Sequence, residues 1–132
     1  MNLNIPYMET DNKLLNDAYR IAAGDIVGNI VYYQNGLLTE EKPCMIAGLD
    51  YNTPWTRDTA INIWNALSIL AQEVSKNTLL AVLEEEEGNI YIGGQYWDSI
   101  IWMIGAREYC RFYKDDNFYR LAFEAGRNSV HR

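Results

Sequence analysis

The chain is poor in the residues that carry most recognisable chemistry. Its 132 residues include 2 cysteines, Cys44 and Cys110, and 1 histidine, His131. Two cysteines are too few for a disulfide scaffold or a zinc site, and both read as reduced, small apolar fillers. A lone histidine beside Arg132 gives no support to a Ser–His mechanism. No run of about 18 uncharged apolar residues is present, which excludes a membrane-spanning helix. Met1 to Pro6 lack the basic and apolar regions of a signal peptide, so a cytoplasmic location is expected. Basic residues are also scarce, 11 against 18 acidic, for a net charge of -7. Such a surface repels a phosphate backbone, so nucleic acid is not an expected partner. Gly93-Gly94 lacks the Lys-Ser/Thr that completes a phosphate loop and reads as a turn. Glu84 to Glu87 read as a solvated helix end, since a calcium site needs a looped cage of oxygens. No metal and no cofactor is expected.

What the chain has in excess is aromatic residues: 4 Trp, 10 Tyr and 3 Phe. With 48% hydrophobic residues it carries enough apolar side chain for one globular domain spanning 1–132. The 3 prolines, Pro6, Pro43 and Pro54, stand outside the segments of strong helical pattern. From Asp11 to Gln34, Leu14, Leu15, Ala18, Ile21, Ala22, Ile26, Ile30 and Tyr33 follow the spacing of a long amphipathic helix. Gly24 and Gly28 within it would admit a close helical neighbour, and Gly36 reads as its stop. A loop is expected from about Leu37 to Pro54.

Two later helices differ in kind. The segment from about Arg57 to Gln72 has no charge between Thr59 and Ala71, and the helix starting near Trp97 has none from Ser99 to Ala106. Such helices are expected to be buried on most faces. A short helix over Thr78 to Glu87 is expected between them, after a break at Ser75 to Asn77. Ile90 and Ile92 form at most a brief extended piece. Asp115, Asp116 and Asn117 supply a break and an N-cap for a last helix through about Asn128. Tyr109, Phe112, Tyr113, Phe118 and Phe123 read as inter-helix packing. The pattern predicts an all-α fold.

The two uncharged helices open alike. Asp58-Thr59-Ala60-Ile61 begins one and Asp98-Ser99-Ile100-Ile101 begins the other, 40 residues later, each with Trp residues nearby. A repeat of that length is the signature of stacked helical hairpins. Alternate helices then run the same way, so both openings fall on one rim. That rim carries Trp55, Arg57 and Asp58 from one helix and Tyr96, Trp97 and Asp98 from the other. Aromatic faces stack on the C–H face of a sugar ring, carboxylates accept from hydroxyls, and a guanidinium supplies a fork of donors. At each position a plainer reading stays open, with Asp58 and Asp98 as helix caps and Trp55 and Trp97 as core.

The segment Pro54-Trp55-Thr56-Arg57-Asp58-Thr59-Ala60 resembles the W-x-R-D-[ST] motif of glucoamylases and glycogen-debranching amyloglucosidases. Gln95-Tyr96-Trp97-Asp98-Ser99 is similar to the Y-x-W-D-S signature of trehalases and related α-glucosidases, with Gly94-Gln95 where that signature usually has an Arg. The resemblance implies an (α/α)6 barrel glycoside hydrolase, of which this chain would supply about two and a half hairpins, an incomplete toroid. It implies that Arg57 and Asp58 grip the non-reducing-end glucose of an oligosaccharide or α-glucoside, with Trp97 and Asp98 lining the same subsite. Inverting hydrolysis needs an acid and a base roughly 6.5–9.5 Å apart. In the resembling families both come from later hairpins, so a sugar-gripping half-site without its catalytic pair is implied. Inner-helix faces left bare would be covered by the remainder of the barrel or by a homo-oligomer. The alternative is a non-catalytic helical-hairpin module that binds a protein partner.

Overall fold

A computed structural model describes residue 3 and residues 5–132. The first helix, α1 (Lys13–Gly28), starts where the Asn12 side chain accepts from the Leu15 amide. It ends well short of Gln34. Ile30–Tyr33 is β-branched and aromatic, the composition that favours strands, and forms β1 against β2 (Lys42–Met45). The pair is antiparallel, with Ile30 opposite Met45 and Tyr33 opposite Lys42. Gly36 is the turn of this hairpin and not a helix stop. At φ 59 it lies against the next corner of the chain, where a Cβ would fall 2.6 Å from the Leu80 carbonyl oxygen.

The uncharged segment after Trp55 is one rod in three pieces: α2 (Thr56–Asn62), a π-helical turn (Ile63–Leu67) and α3 (Ser68–Leu70). It is not buried on most faces. Thr56, Thr59, Ala60, Ile63, Leu67 and Ser68 form a buried stripe, while Ile61, Trp64 and Ile69 are exposed. The lack of charge therefore marks an apolar outer face as well as an apolar inner one. Ala71, at φ -150, breaks the rod, and α4 (Gln72–Ala81) follows directly. The expected break at Ser75 to Asn77 lies inside α4, where the Ser75 hydroxyl donates to the Ala71 carbonyl and the Thr78 hydroxyl to Val74.

The all-α expectation fails again after Ala81. Leu83–Glu86 is β3, paired with β4 (Asn89–Ile92) across a turn at Glu87 and Gly88, both at positive φ. Two consecutive positive-φ residues make the tight turn whose twist suits a two-residue hairpin. Leu83 opposite Ile92 buries the base of the hairpin, and the glutamates extend into solvent. The protein is thus mixed, helices with two separate two-stranded antiparallel sheets, and not an incomplete (α/α)6 toroid. The extended piece at Ile90 and Ile92 is real, but as half of a hairpin whose other half had read as helix.

Helices α5 (Asp98–Phe112) and α6 (Asp116–Val130) complete the fold. The core joins the π turn, α4, α5 and α6 through Ile63, Leu67, Val74, Leu79, Trp102, Tyr109, Phe118 and Ala125. Tyr109 meets Phe118 edge-on at 4.9 Å between centroids. Trp102 is fully buried, and its indole N–H donates to the Leu79 carbonyl. Phe112 and Phe123, expected in the packing, are exposed instead. The last turn of α6 satisfies β4, with the Ser129 hydroxyl accepting from the Ile92 amide and the Asn128 amide donating to the Ile90 carbonyl. Gly105 lets α5 lie directly on α2, since a Cβ there would sit 2.8 Å from Ala60 Cα.

Helix α1 meets that core through Ile26, which is partly buried against it. Among its described residues none is fully buried, and Leu14, Ile21 and Val27 face solvent. A Cβ on Gly24 or Gly28 would meet nothing within 4 Å beyond the helix itself, so the close helical neighbour expected there is absent among the described residues. No helix among the described residues is long and apolar enough to cross a membrane.

Asp115 caps α6 as expected. Its Oδ1 accepts from the Phe118 amide at 3.0 Å, and its Oδ2 accepts from Lys76 Nζ of α4 at 2.6 Å. Lys76 first, and then the Phe118 amide, hold this carboxyl below the usual carboxylate range. Folding lowers the pKa, so the contribution is complete above about pH 4 and is lost as pH falls through the folded value. Asp115→Asn keeps a capping oxygen and removes the charge. Chemical denaturation at neutral pH should find it less stable by about 1 kcal/mol, with the gap narrowing as pH falls below the ordinary carboxylate range and through the lowered folded value.

Candidate functional site

The openings of α2 and α5 come together, although 41 residues separate Arg57 from Asp98. Arg57 Nε and Nη2 donate to Asp98 Oδ1 at 2.9 and 2.7 Å. The guanidinium carbon lies 4.7 Å from the centre of the Trp97 ring, a cation–π contact. Neither aspartate is the residue that caps its helix. Trp55 and Trp97 occupy the cap positions without a side-chain cap bond, and Asp58 and Asp98 fall in the first turns. A carboxylate there is favoured by the helix dipole.

The turn from β4 into α5 holds Asp98 from behind. The Gln95 amide donates to Asp98 Oδ2 at 3.0 Å. The buried Thr56 hydroxyl donates to the Gly93 carbonyl at 2.8 Å, binding the start of α2 to the same turn. Gly94 has φ 120, and a Cβ on it would fall 2.9 Å from Asp98 Oδ2 and 3.0 Å from Thr56 Oγ1. Thr56, Gly94 and the Gln95 amide are thus parts of the site beyond the six side chains expected from sequence. The signal for them was the Gly93-Gly94 pair just before the motif, which reads as a turn without revealing what the turn presses against.

A cavity of about 270 Å³ opens between the two helix starts, lined by Trp55, Arg57, Asp58, Gln95 and Asp98 among others. Asp98 is nearly buried, while Asp58 is half-buried and, among the described residues, has no ion-pair partner. Trp55 is half-exposed and braced edge-on by Tyr51 at 5.7 Å between centroids. It is not core, and neither is Trp97, which is equally exposed. Tyr96 stands apart. At φ 51 it is 93% exposed and lines a neighbouring cavity of about 320 Å³ with Glu84, Ser99 and Arg132. Five of the six expected residues therefore cluster, and Tyr96 flanks them.

Other parts of the molecule carry less chemistry. A groove of about 410 Å³ between α5 and α6 is lined by Met103, Cys110, Phe123 and Val130, with Arg107, Arg127 and His131 at its polar positions and no carboxylate. It lacks the carboxylate acceptors that suit a polyhydroxylated ligand. Cys44 is buried, which pushes its thiol up to about 12, and burial raises Cys110 as well. Neither is a thiolate nucleophile at neutral pH. Among the described residues, no three His, Cys, Asp or Glu side chains gather as a metal site would require. Glu84 to Glu87 are exposed on the β3–β4 hairpin, where Arg132 pairs with Glu86 at 2.9 Å and lies over the Tyr91 ring.

Comparison of the chain with protein-family models, with curated proteins and with solved structures finds no match.

Gly94 offers a direct check of the geometry. Gly94→Ala places a methyl group against Asp98 and imposes an unfavourable φ, so it should cost about 1–3 kcal/mol of stability. Thermal unfolding measures the loss. Gly88→Ala, at positive φ but in open space, should cost less.

Proposed function

We propose that the rim between α2 and α5 binds the non-reducing-end glucose of an α-linked glucoside or oligosaccharide. The observation that carries this reading is the Arg57–Asp98 pair, stacked on Trp97 and opening on one cavity with Asp58 and Trp55. The lining provides what a pyranose needs: an aromatic surface for its C–H face, a carboxylate to accept from adjacent hydroxyls, and donors on a fixed guanidinium. The cavity lies just below the usual range of about 300–1,000 Å³ for drug-sized ligands, which suits a single ring. The two motifs that resemble glucoamylases and trehalases supply the residues of this cluster, which supports glucose over other sugars.

The site binds without completing hydrolysis. An inverting reaction requires a proton donor on one side of the glycosidic bond and a base holding water on the other. Asp98 accepts from Arg57 on one oxygen and from the Gln95 amide on the other, so it is not placed to hand a proton to a leaving group. Among the described residues, Asp58 is then the one free carboxylate in the cavity lining, and one carboxylate cannot fill both roles.

Titration with maltose, followed by tryptophan emission, tests the reading because Trp55 and Trp97 border the site. Maltose should change the emission saturably, and Arg57→Ala or Asp58→Ala should weaken binding about tenfold, the equivalent of one charge-assisted hydrogen bond. The chain alone should not release glucose from maltose or p-nitrophenyl glucoside. Emission indifferent to maltose, or binding untouched by both substitutions, would refute the reading.

A further inference from the structure

We infer that Asp98 is a positioning residue and not a ligand contact: it fixes the Arg57 guanidinium over Trp97 and cancels its charge, which makes the cavity selective for uncharged sugars over anionic ones. The selectivity rests on the sugar-binding reading above. The positioning does not.

Asp98 is the most enclosed carboxylate at the rim, 8% exposed, and three donors converge on its two oxygens. Gly94 closes on it from the turn side so tightly that no side chain fits between them. A carboxylate held this way has little left to offer a sugar hydroxyl. Arg57 is the reverse case. Its Nε and one N–H of Nη2 are committed, whereas Nη1 has no partner among the described residues and the side chain is 42% exposed. With Nε and Nη2 both on Oδ1 and the ring of Trp97 beneath, the planar guanidinium has one orientation, and the two N–H groups of Nη1 and the second of Nη2 are the donors that remain.

Charge then sets which ligand fits. The charged residues lining the cavity are Arg57, Asp58 and Asp98, one positive and two negative. An unpaired arginine on an aromatic ring is a strong receptor for carboxylate or phosphate, through its fork of donors. Paired with Asp98, the same arginine offers a neutral hydroxyl a hydrogen bond while Asp58 leaves the cavity negative. An anionic sugar would have to break the pair or sit beside an uncompensated carboxylate, and either penalty counts against it. Asp98 thus turns an anion receptor into a receptor for uncharged sugars.

The experiment uses methyl α-glucoside and methyl α-glucuronide, which differ in charge at one carbon, against the wild-type chain and Asp98→Asn. Wild type should prefer the glucoside at least about tenfold, and Asp98→Asn should bring the two affinities within about threefold or reverse them. In the ligand-free proteins, the Arg57 Nε–H signal in proton–nitrogen NMR should be resolved and slow to exchange in wild type. It should stay so in Asp58→Asn and be lost in Asp98→Asn. An Nε–H signal unaffected by Asp98→Asn overturns the positioning role, and an unchanged glucoside preference overturns the selectivity. If wild type binds neither glycoside, the sugar-binding reading fails and the selectivity fails with it, while the NMR signal still decides the positioning. Should Asp98→Asn not fold, Arg57→Lys keeps the charge pair without the fork. It should lose affinity for the glucoside and keep the preference for it, and a lost preference overturns the selectivity.

Discussion

The contact between Arg57 and Asp98 is the constraint on which the rim depends. It ties the first turn of α2 to the first turn of α5 at a point where neither helix is capped by a side chain. Without it, two helix openings would present separate charges to solvent. With it they become one surface, and the elements behind it are shaped accordingly. Gly105 brings α5 onto Ala60 of α2, Thr56 holds the β4–α5 turn, and Gly94 leaves room for the Asp98 carboxylate. Each of these contacts is short, and each is made by a residue whose small size or single hydroxyl is what permits it. An ion pair at a half-exposed surface contributes little by itself. This one gains from a nearly buried acceptor, two donors and an aromatic ring below.

Away from the rim the molecule is held by a core that is aromatic as much as aliphatic. Trp102, Tyr109 and Phe118 interlock between α5 and α6, and Asp115 joins the start of α6 to α4 through Lys76. The two hairpins serve the helices differently. The β3–β4 pair sets the approach to α5 and takes its edge bonds from α6, so it belongs to the frame of the site. The β1–β2 pair packs on α4 through Cys44, and the Met45 amide donates to the Thr78 hydroxyl. Beyond it α1 keeps an apolar edge in solvent.

How much of this was legible in the sequence varied with the kind of signal. The start of α6 was legible because Asp115 both breaks one helix and caps the next, a local device with a local signature. The repeat of Asp58-Thr59-Ala60-Ile61 as Asp98-Ser99-Ile100-Ile101 pointed to two distant helix starts on one rim, and Arg57 does meet Asp98, although the stack of helical hairpins inferred from that repeat is not the fold. The β-hairpins were not legible. Ile30 and Tyr33 fit a helical spacing, and Ile30–Tyr33 is also a short continuous apolar run that suits a strand, so periodicity alone could not divide α1 from β1. Glu84 to Glu87 suit a helix by propensity, yet the pairing of Leu83 with Ile92 and a turn through Gly88 override that preference. The uncharged rod misled in another way. A sequence without charges gives no polar face to locate, and a π turn at Ile63–Leu67 shifts which residues point inward. Conformation at Gly94 was out of reach, because what a glycine accommodates lies 38 residues away at Thr56.

The measurement that tests the account most directly is a double-mutant cycle between Arg57 and Asp98 in the ligand-free chain. Stabilities of wild type, Arg57→Ala, Asp98→Ala and the double variant, from chemical denaturation, isolate the energy that belongs to the pair. If the pair organises the rim, the single losses overlap, and the coupling reaches about 1 kcal/mol or more. Additive losses, within about 0.3 kcal/mol, would mean that the two helix starts hold their places independently, and would contradict the account.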